Sequence, residues 1–462
     1  MENRFIIDSS NYIDTKLYGY MITDDGKIIE NYNGKNTRNG CFCLIINKNN
    51  NIDIYQDYYG CFGIYLYEKE NYFALSNNLL YLINYLHGKL TLNEDYYRKL
   101  INAREVAFPQ EQTLCNEIKR INGSYIIHII NGKINLEKIK EQQYSINITS
   151  KEYLNILDKW YTKWLNIYNN IYKEDVLQDL SGGIDTRILL SMALNSDTAK
   201  SILFRTKNCY VGKEGEEDYI ISNKLINYFY LNKYERIKIF KNINNLENNF
   251  IFGNSNFSAS IREKPVKKLY RICGNGGLLY HKPNTFKNLL NKRFYKVDNW
   301  LIEDFNKYLN NIEYPDYLDK ELYNLYAYKK LIVDLRDGIK SADYYNNGTI
   351  LLCPMMDKDL NSLNINKNGK SILPFIILQR YYSKLLNFPF EGLNDKLLSF
   401  DEKIKPLTFN CHHDFFYKNP KIYFYNLPKK EYENKFKIFT QNTETHSTGS
   451  EIGQTYYTME KI

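Results

Sequence analysis

The chain has 462 residues, of which 44% are hydrophobic and 25% are charged. This composition excludes a disordered chain and predicts two or more globular domains, since one domain usually takes about 150 residues. The formal net charge is +8, but the basic residues are scattered and their densest cluster, at 264–271, is short. Because nucleic-acid-binding proteins concentrate basic residues in a stripe or a known module, we expect no nucleic-acid partner.

The sequence also lacks signals for export or for a membrane span. It starts MENRFIIDSS, without the basic start and long apolar run of a signal peptide. No run approaches the ~18 apolar residues of a transmembrane helix. The eight cysteines form no C-x-x-C pair, which argues against a zinc ribbon. We therefore predict a cytoplasmic protein with no membrane partner, in which Cys41 and Cys43 pack in a core.

Residues 1 to about 145 are predicted to form a domain of sheet plus helix. Short runs typical of strands alternate with turn residues, and a helical stretch at 92–108 interrupts them. The predicted strands are 41–47, 52–56, 62–68, 72–76 and 124–130.

After about residue 145 helices and strands alternate, which predicts a parallel sheet. The predicted elements are a helix at 153–172, a strand at 176–180, a helix from 184 to about 199, a strand at 201–206 and a helix at 214–231. Beyond residue 290 the pattern is mainly helical. We divide the chain into domains at 1–145 and 150–440, followed by a polar tail at 441–462.

A glycine-rich turn joins the strand at 176–180 to the next helix. Ser181, Gly182 and Gly183 precede that helix, where exposed N–H groups and the positive end of the helix dipole form an anion site. The two glycines let a phosphate approach the main chain closely. Asp185 would repel a bare phosphate, but it could hold a Mg²⁺ ion that bridges to phosphate oxygens. The turn therefore predicts a site for a nucleotide and Mg²⁺.

The same residues also fit a purely structural interpretation. Ser181 would then be an ordinary N-cap residue, and Asp185 would be exposed in the first helical turn. Two other nucleotide motifs are incomplete, because Gly369–Ser371 lacks the first glycine of a Walker A loop and Gly274–Gly276 lacks the third glycine of a dinucleotide fingerprint.

The stretch LSGGIDTR at 180–187 resembles the pyrophosphate loop of the asparagine-synthetase-like family, within the PP-loop ATP pyrophosphatases. The family pattern is Ser-Gly-Gly-x-Asp-Ser, and Thr186 keeps the final hydroxyl. GNGGLLY at 274–280 resembles the second glycine-rich turn of the family, and Pro354 and Asp357 match its Pro-Phe-Leu-Asp segment.

The N-terminal half resembles the glutaminase-like domain of the family, at 39–47, at Asp57 and Gly60, and at 74–78. Together the resemblance covers most of residues 20–400. It implies an α/β fold in which an N-terminal Ntn-hydrolase-like α+β layered domain precedes a parallel-sheet PP-loop synthetase domain with a helical C-terminal part.

Members of this family activate a carboxylate with ATP as an acyl-adenylate, and an amine then displaces AMP. The resemblance implies the same reaction here, with ATP and Mg²⁺ as cofactors and Asp185 as the metal ligand. The implied nucleotide-binding residues are Leu180, Ser181, Gly182, Gly183, Asp185, Thr186, Leu203, Gly274, Asn275 and Gly276. Lys367 and Lys370 are the catalytic candidates, because a cation aimed at the developing charge lowers the barrier. Both lysines equally fit a solvated loop, and Arg380 is a further candidate.

Two departures from the family pattern bear on catalysis. No cysteine precedes Cys41, so the N-terminal nucleophile is missing and we expect no glutamine hydrolysis. Leu278 stands where the second turn of the family carries a metal-binding aspartate. Either Asp185 with phosphate oxygens suffices, or Glu217 or Asp218 compensates, or catalysis is weak.

A third departure concerns the substrate, because Ile350 and Leu352 replace the Glu-x-Arg of the family. We therefore expect an acid other than aspartate, with a small-molecule carboxylate and amine, such as a sugar acid or an amino acid, as partners. The alternative is a degenerate member that binds a nucleotide or a partner without catalysis. A tRNA-thiolating enzyme ranks last, since it needs paired catalytic cysteines and an RNA-binding surface.

Overall fold

The computed structural model of the protein describes residues 4–35, 37–49, 51–97, 112–139, 151–171, 173–206, 217–234, 237–239, 250–253, 260–263, 268–276, 302–303, 345, 348–361, 363, 373–390, 405–409 and 423–425. These residues form a mixed α/β structure with antiparallel sheets, a five-stranded parallel sheet and several helices. No helix in this part of the chain is both long and apolar enough to cross a membrane.

The N-terminal region forms two antiparallel sheets. Its elements are β1 (Ile6–Asp8), β2 (Lys16–Ile22), β3 (Ile28–Ile29), β4 (Gly40–Lys48), β5 (Asn51–Gln56), β6 (Ile64–Lys69), β7 (Tyr72–Ser76), α1 (Leu79–Tyr85), β8 (Ile118–Ile121), β9 (Tyr125–Ile130) and β10 (Lys133–Lys138). One sheet has the order β1-β7-β6-β8 and the other β10-β9-β5-β4-β2-β3. The five strands predicted here are confirmed as β4, β5, β6, β7 and β9, whereas the helix predicted at 92–108 begins at 94 and is described only to 97.

The C-terminal region alternates helices and strands. Its elements are α2 (Lys151–Asn170), β11 (Val176–Leu180), α3 (Ile184–Leu194), β12 (Leu203–Thr206), α4 (Glu217–Phe229), β13 (Asn232–Lys233), β14 (Ile237–Ile239), β15 (Phe250–Gly253), β16 (Ser260–Glu263), β17 (Leu269–Ile272), β18 (Thr349–Leu352), α5 (Lys358–Asn361), α6 (Leu373–Tyr381) and β19 (Tyr423–Tyr425), with 3₁₀ helices at Pro354–Met356 and Ser383–Asn387. The predicted domain boundary near 145 and the tail at 441–462 lie outside the described residues, so the three-part division stays a prediction.

The parallel sheet confirms the prediction made from the alternating pattern. Its order is β13-β12-β11-β17-β18, and every neighbouring pair is parallel. The chain leaves β11 towards one edge through β12 and β13, and it later returns to the opposite side of β11 with β17 and β18. The strand order therefore reverses between β11 and β17, and ligands of open parallel sheets bind beyond the carboxyl ends of the strands at such a point.

One hydrophobic core connects the two regions. Helix α2 directs an apolar stripe that includes Leu157, Trp160 and Trp164 inward, with the spacing of an amphipathic helix. These side chains share a core with Cys41 of β4 and with residues of the parallel sheet. The hydroxyl of Tyr20 in β2 also donates to the Leu351 carbonyl of β18, at 2.5 Å. The antiparallel strands thus pack directly on the edge of the parallel sheet.

Candidate functional site

The glycine-rich turn lies at the carboxyl end of β11, on the central strand of the parallel sheet. Strand β11 ends at Leu180, and α3 begins at Ile184 with Gly183 as its N-cap in an extended conformation. The structural interpretation that made Ser181 the N-cap is therefore wrong, because Ser181 lies two residues before the cap. The predicted sequence of strand, turn and helix is confirmed.

Each N–H group of the turn has an acceptor within the protein. The Ser181 N–H donates to Thr186 Oγ1 at 3.0 Å, and the Gly183 N–H donates to Ser181 Oγ at 3.1 Å. The buried Gly182 N–H donates to Asp218 Oδ1 at 2.8 Å. A phosphate at the turn would have to replace these acceptors or bind to the N–H groups of residues 184–186, which lie in the first turn of α3 and point towards its N-terminal end.

Asp218 belongs to the first turn of α4 and is 4% exposed. Its bond to Gly182 fixes the start of α4 against the glycine-rich turn, although the two residues are 36 positions apart. Of the two acidic residues considered as substitutes for the missing metal ligand, the structure brings Asp218 to the turn. Glu217 is exposed.

The second glycine-rich turn follows β17 and lies against the start of α3. A Cβ atom on Gly274 would come within 3.0 Å of the Asp185 Cβ, so only glycine permits this approach without movement. Gly276 has a φ of +88°, and a Cβ there would lie 2.7 Å from the Met356 Cγ. The structure therefore brings Asp185, Thr186 and the second turn together.

Three charged residues lie beside the turn at the same end of the sheet. Asp179 of β11 lies between Arg205 of β12, at 2.6 Å, and Arg271 of β17, at 2.8 Å. All three side chains are partly exposed. Two guanidinium groups around one carboxylate give this group a net positive charge, which favours an anionic ligand nearby. The parallel register of β11 and β12 pairs Asp179 with Arg205, and neither residue was singled out from the sequence.

Arg187 is a buried residue of the motif whose role the sequence analysis also missed. Its guanidinium donates to the carbonyls of Leu385, at 3.0 Å, and Pro389, at 2.8 Å, and lies over the Phe390 ring. Burial lowers the pKa of Arg187 to about 10. The sequence signal for a buried role of Arg187 is its place beside Ile188, on the apolar side of α3. Arg187 ties the helix after the turn to the segment that follows α6.

Asp357, which matches the family segment after β18, is a buried structural partner of α2. Its carboxylate lies 2.7 Å from Lys163 Nζ and accepts a hydrogen bond from Trp164 Nε1 at 2.8 Å. The pKa of Lys163 is raised, since burial opposes its charge but the carboxylates of Asp357 and Asp359 outweigh this effect. Asp357 therefore holds the loop after β18 against α2.

Arg380 and Leu203, which were also singled out from the sequence, have side chains held in other contacts. Arg380 makes a bidentate ion pair with Asp158 of α2, at 2.7 and 2.6 Å, so its guanidinium is committed there. Leu180 directly precedes the turn, and its buried side chain lies in a different cluster from that of Leu203; their role in nucleotide binding stays a prediction. Lys367 and Lys370 lie outside the described residues, and their catalytic role stays a prediction.

One group of three possible metal ligands occurs among the described residues, at Cys41, Asp57 and Cys61. Their ligand atoms all lie within 4.8 Å of one another, and all three residues are buried. Both oxygens of Asp57 already accept main-chain N–H groups, from Phe42, Tyr59 and Cys61. This carboxylate therefore shapes the loop after β5. Cys41 and Cys43 are confirmed as core residues of β4.

Comparisons with known proteins do not identify a family for this chain. No protein-family model matches the chain, and no curated protein matches it. The resemblance to the asparagine-synthetase-like family therefore rests on the residues of the sequence motifs alone.

Proposed function

We propose that the protein is an ATP-dependent, AMP-forming amide ligase that acts without glutamine hydrolysis. In this proposal the antiparallel sheets correspond to an Ntn-hydrolase-like domain, and the parallel sheet is the core of a PP-loop synthetase domain. The observation that carries the proposal is the position of the Ser181–Gly183 turn. It lies at the carboxyl end of β11, where the strand order reverses, and a second glycine-rich turn lies against the first turn of the helix that follows it.

The turn offers three features that suit a triphosphate. The N–H groups of residues 184–186 lie at the positive end of the α3 dipole, which attracts phosphate oxygens. The hydroxyl of Ser181 lies 3.1 Å from that of Thr186 and can donate to an anion, whereas the Thr186 hydroxyl donates to main-chain carbonyls of the turn. The nearby group of Asp179, Arg205 and Arg271 adds a net positive charge.

The donor set at the turn fits Mg²⁺ together with phosphate. Asp185 is partly exposed beside Gly274, and Mg²⁺ commonly takes one or two carboxylates plus phosphate oxygens. When bound, Mg²⁺ would neutralise charge on the phosphates. The residues of the chain bind the triphosphate, orient its α-phosphate towards the acid substrate and keep the second turn in contact with Asp185. The acid and the amine are small molecules such as a sugar acid or an amino acid.

An exchange assay tests the proposal. Purified protein, Mg²⁺-ATP and a panel of sugar acids and amino acids are incubated with labelled pyrophosphate, whose incorporation into ATP reports adenylate formation. At least one acid should support exchange, and Asp185→Asn should lower its rate by about 100-fold or more. Glu152→Gln is the matched control, because Glu152 is an exposed acidic residue in the first turn of α2. Exchange that is unaffected by Asp185→Asn would contradict the proposed role of this carboxylate.

A second candidate function is nucleotide binding without catalysis. The observation that favours it is Leu278, which stands where the second glycine-rich turn of the family carries a metal-binding aspartate. In this case Mg²⁺-ATP would raise the thermal unfolding temperature, but no acid in the panel would support exchange. Asp185→Asn would then change the affinity for ATP alone.

A further inference from the structure

Two cysteines lie side by side where β17 and β18 end. Ile272 and Leu352 are the last paired residues of these parallel strands, and Cys273 and Cys353 follow them directly. The Cys273 N–H donates to the Leu352 carbonyl, and the two Sγ atoms are 3.5 Å apart. Neighbouring strands lie about 4.8 Å apart, which is within the Cα separation that a disulfide bond allows. The backbone is therefore already placed for a bond between these two sulfur atoms.

A small cavity gives one of the two thiols access to a small oxidant. Cys353 lines it together with Tyr20, Cys61 and Asp357, and its volume is about 20 Å³. This is enough for one water-sized molecule. Cys353 is 8% exposed, whereas Cys273 is 3% exposed and does not line the cavity. Cys353 is thus the thiol that a small oxidant reaches first, and Cys273 is the thiol that can attack it next.

A second pair of thiols, Cys41 and Cys61, lies in the same core but is less suited to oxidation. The pKa of Cys61 is raised well above its usual value by its hydrogen bond with Cys41 and by burial. Since the thiolate is the reactive form, this shift disfavours reaction at Cys61.

We propose that Cys273 and Cys353 form a reversible disulfide when the protein meets a peroxide. In the first step Cys353 loses its proton and the thiolate attacks one oxygen of hydrogen peroxide; the O–O bond breaks, a sulfenic acid forms, and the departing hydroxide takes up the proton as water. In the second step the Cys273 thiol attacks the sulfenic sulfur, the S–O bond breaks, and the disulfide and a second water form. Both sulfur atoms are oxidised and the peroxide is reduced. A dithiol reverses the change by thiol–disulfide exchange.

The disulfide would lock the two segments that meet beside the glycine-rich turn. Gly274–Gly276 follows Cys273, and Pro354–Met356 follows Cys353, and these segments already touch where Gly276 packs on Met355 and Met356. Drawing the sulfur atoms together moves the second turn relative to Asp185. This consequence matters for nucleotide binding only if the proposed function holds, but disulfide formation itself does not depend on it.

Mass spectrometry of the full chain tests the proposal without ATP. The folded protein is treated with hydrogen peroxide, the reaction is quenched with catalase, and remaining thiols are blocked with N-ethylmaleimide in denaturant before digestion without reductant. We expect a cross-linked peptide containing Cys273 and Cys353, two hydrogens lighter than its parts, in several-fold excess over any other cross-link. Treatment of the oxidised protein with dithiothreitol, before the thiols are blocked, should abolish this cross-link. We also expect the oxidised protein to unfold at a temperature a few degrees higher.

Cysteine variants test whether Cys353 is oxidised first and Cys273 attacks second. In Cys273→Ser the sulfenic acid on Cys353 should persist and react with dimedone, whereas Cys115→Ser, a change at a buried cysteine in another cluster, should leave the cross-link intact. The wild-type measurement decides the matter even if a variant does not fold. The proposal is overturned if both cysteines still carry N-ethylmaleimide at every peroxide dose that preserves the circular dichroism spectrum. It is equally overturned if Cys353 is found bonded to another cysteine.

Discussion

Asp218 and Arg187 are charged residues close to the glycine-rich turn, and the side chains of both form hydrogen bonds with main-chain groups. Asp218 accepts the N–H of Gly182, and Arg187 donates to the carbonyls of Leu385 and Pro389. Buried main-chain groups without partners cost about 1–3 kcal/mol each. At the scale of single residues, therefore, the charges around the motif hold the turn itself in shape.

The hydrogen bond from the Gly182 N–H to Asp218 predicts that two substitutions of Asp218 differ in their effect on stability. Asp218→Ala leaves the buried Gly182 N–H without an acceptor and should lower the free energy of unfolding by about 1–3 kcal/mol. Asp218→Asn keeps a side-chain oxygen at the same place and should cost clearly less. Urea unfolding of the two variants measures the difference, and equal losses in both would show that the hydrogen bond contributes little.

At the scale of the elements, strand register decides which side chains meet. Asp53 of β5 is the direct partner of His128 of β9, and the Glu137 carboxylate of β10 reaches the other ring nitrogen of the same histidine. The distances are 2.7 and 3.0 Å. The hydrogen bond to Asp53 is the main cause that raises the pKa of His128, and burial only partly opposes it. The imidazolium thus links three neighbouring strands.

This link predicts a pH dependence of stability with a definite sign. Because the folded pKa of His128 lies above the unfolded value near 6.5, its contribution is complete below that value and is lost as the pH rises through the folded pKa. His128→Gln should therefore lower the free energy of unfolding more at pH 5.5 than at pH 8.5. The difference between the two losses should be less than about 1 kcal/mol, because the site is partly exposed. Urea unfolding at both pH values tests this, with the exposed His87→Gln as the control. A larger loss at pH 8.5 would reverse the sign and reject the explanation.

The sequence predicted some elements well because their signals are local. The runs at 41–47, 52–56 and 72–76 combine apolar residues with flanking turn residues, and they became β4, β5 and β7. Strand β10 was missed because KINLEK is mostly exposed and has no apolar run. Helix α3 was predicted to extend to about 199 but ends at Leu194, since Asn195 is its C-cap.

The contacts that build the site could not be read from the chain alone. The Lys163–Asp357 pair joins residues 194 positions apart, and the Cys273–Cys353 pair joins residues 80 positions apart. No local spacing encodes such partners, because they depend on the order of the strands in the sheet. The sequence therefore predicted the turn and its neighbouring helix, but not the acceptor of the Gly182 N–H or the charges beside it.

At the scale of the whole molecule, the continuous core predicts cooperative unfolding of its two regions. Trp160 and Trp164 of α2 pack in the same core as Cys41 and Cys43 of β4, and Tyr20 bonds to β18. Tryptophan fluorescence and the labelling of Cys41 and Cys43 by a thiol reagent should therefore change at the same urea concentration. Labelling of these cysteines well before the fluorescence change would show that the antiparallel sheets unfold on their own.

The central claim is that the turn between β11 and α3 binds the phosphates of a nucleotide, and amide hydrogen exchange tests it most directly. In the presence of Mg²⁺-ATP, a peptide covering residues 181–190 should exchange at least several-fold more slowly than in the free protein. AMP, which lacks the β- and γ-phosphates, should give little of this protection. Unchanged exchange at 181–190 with saturating Mg²⁺-ATP, or protection confined to another part of the chain, would contradict the account.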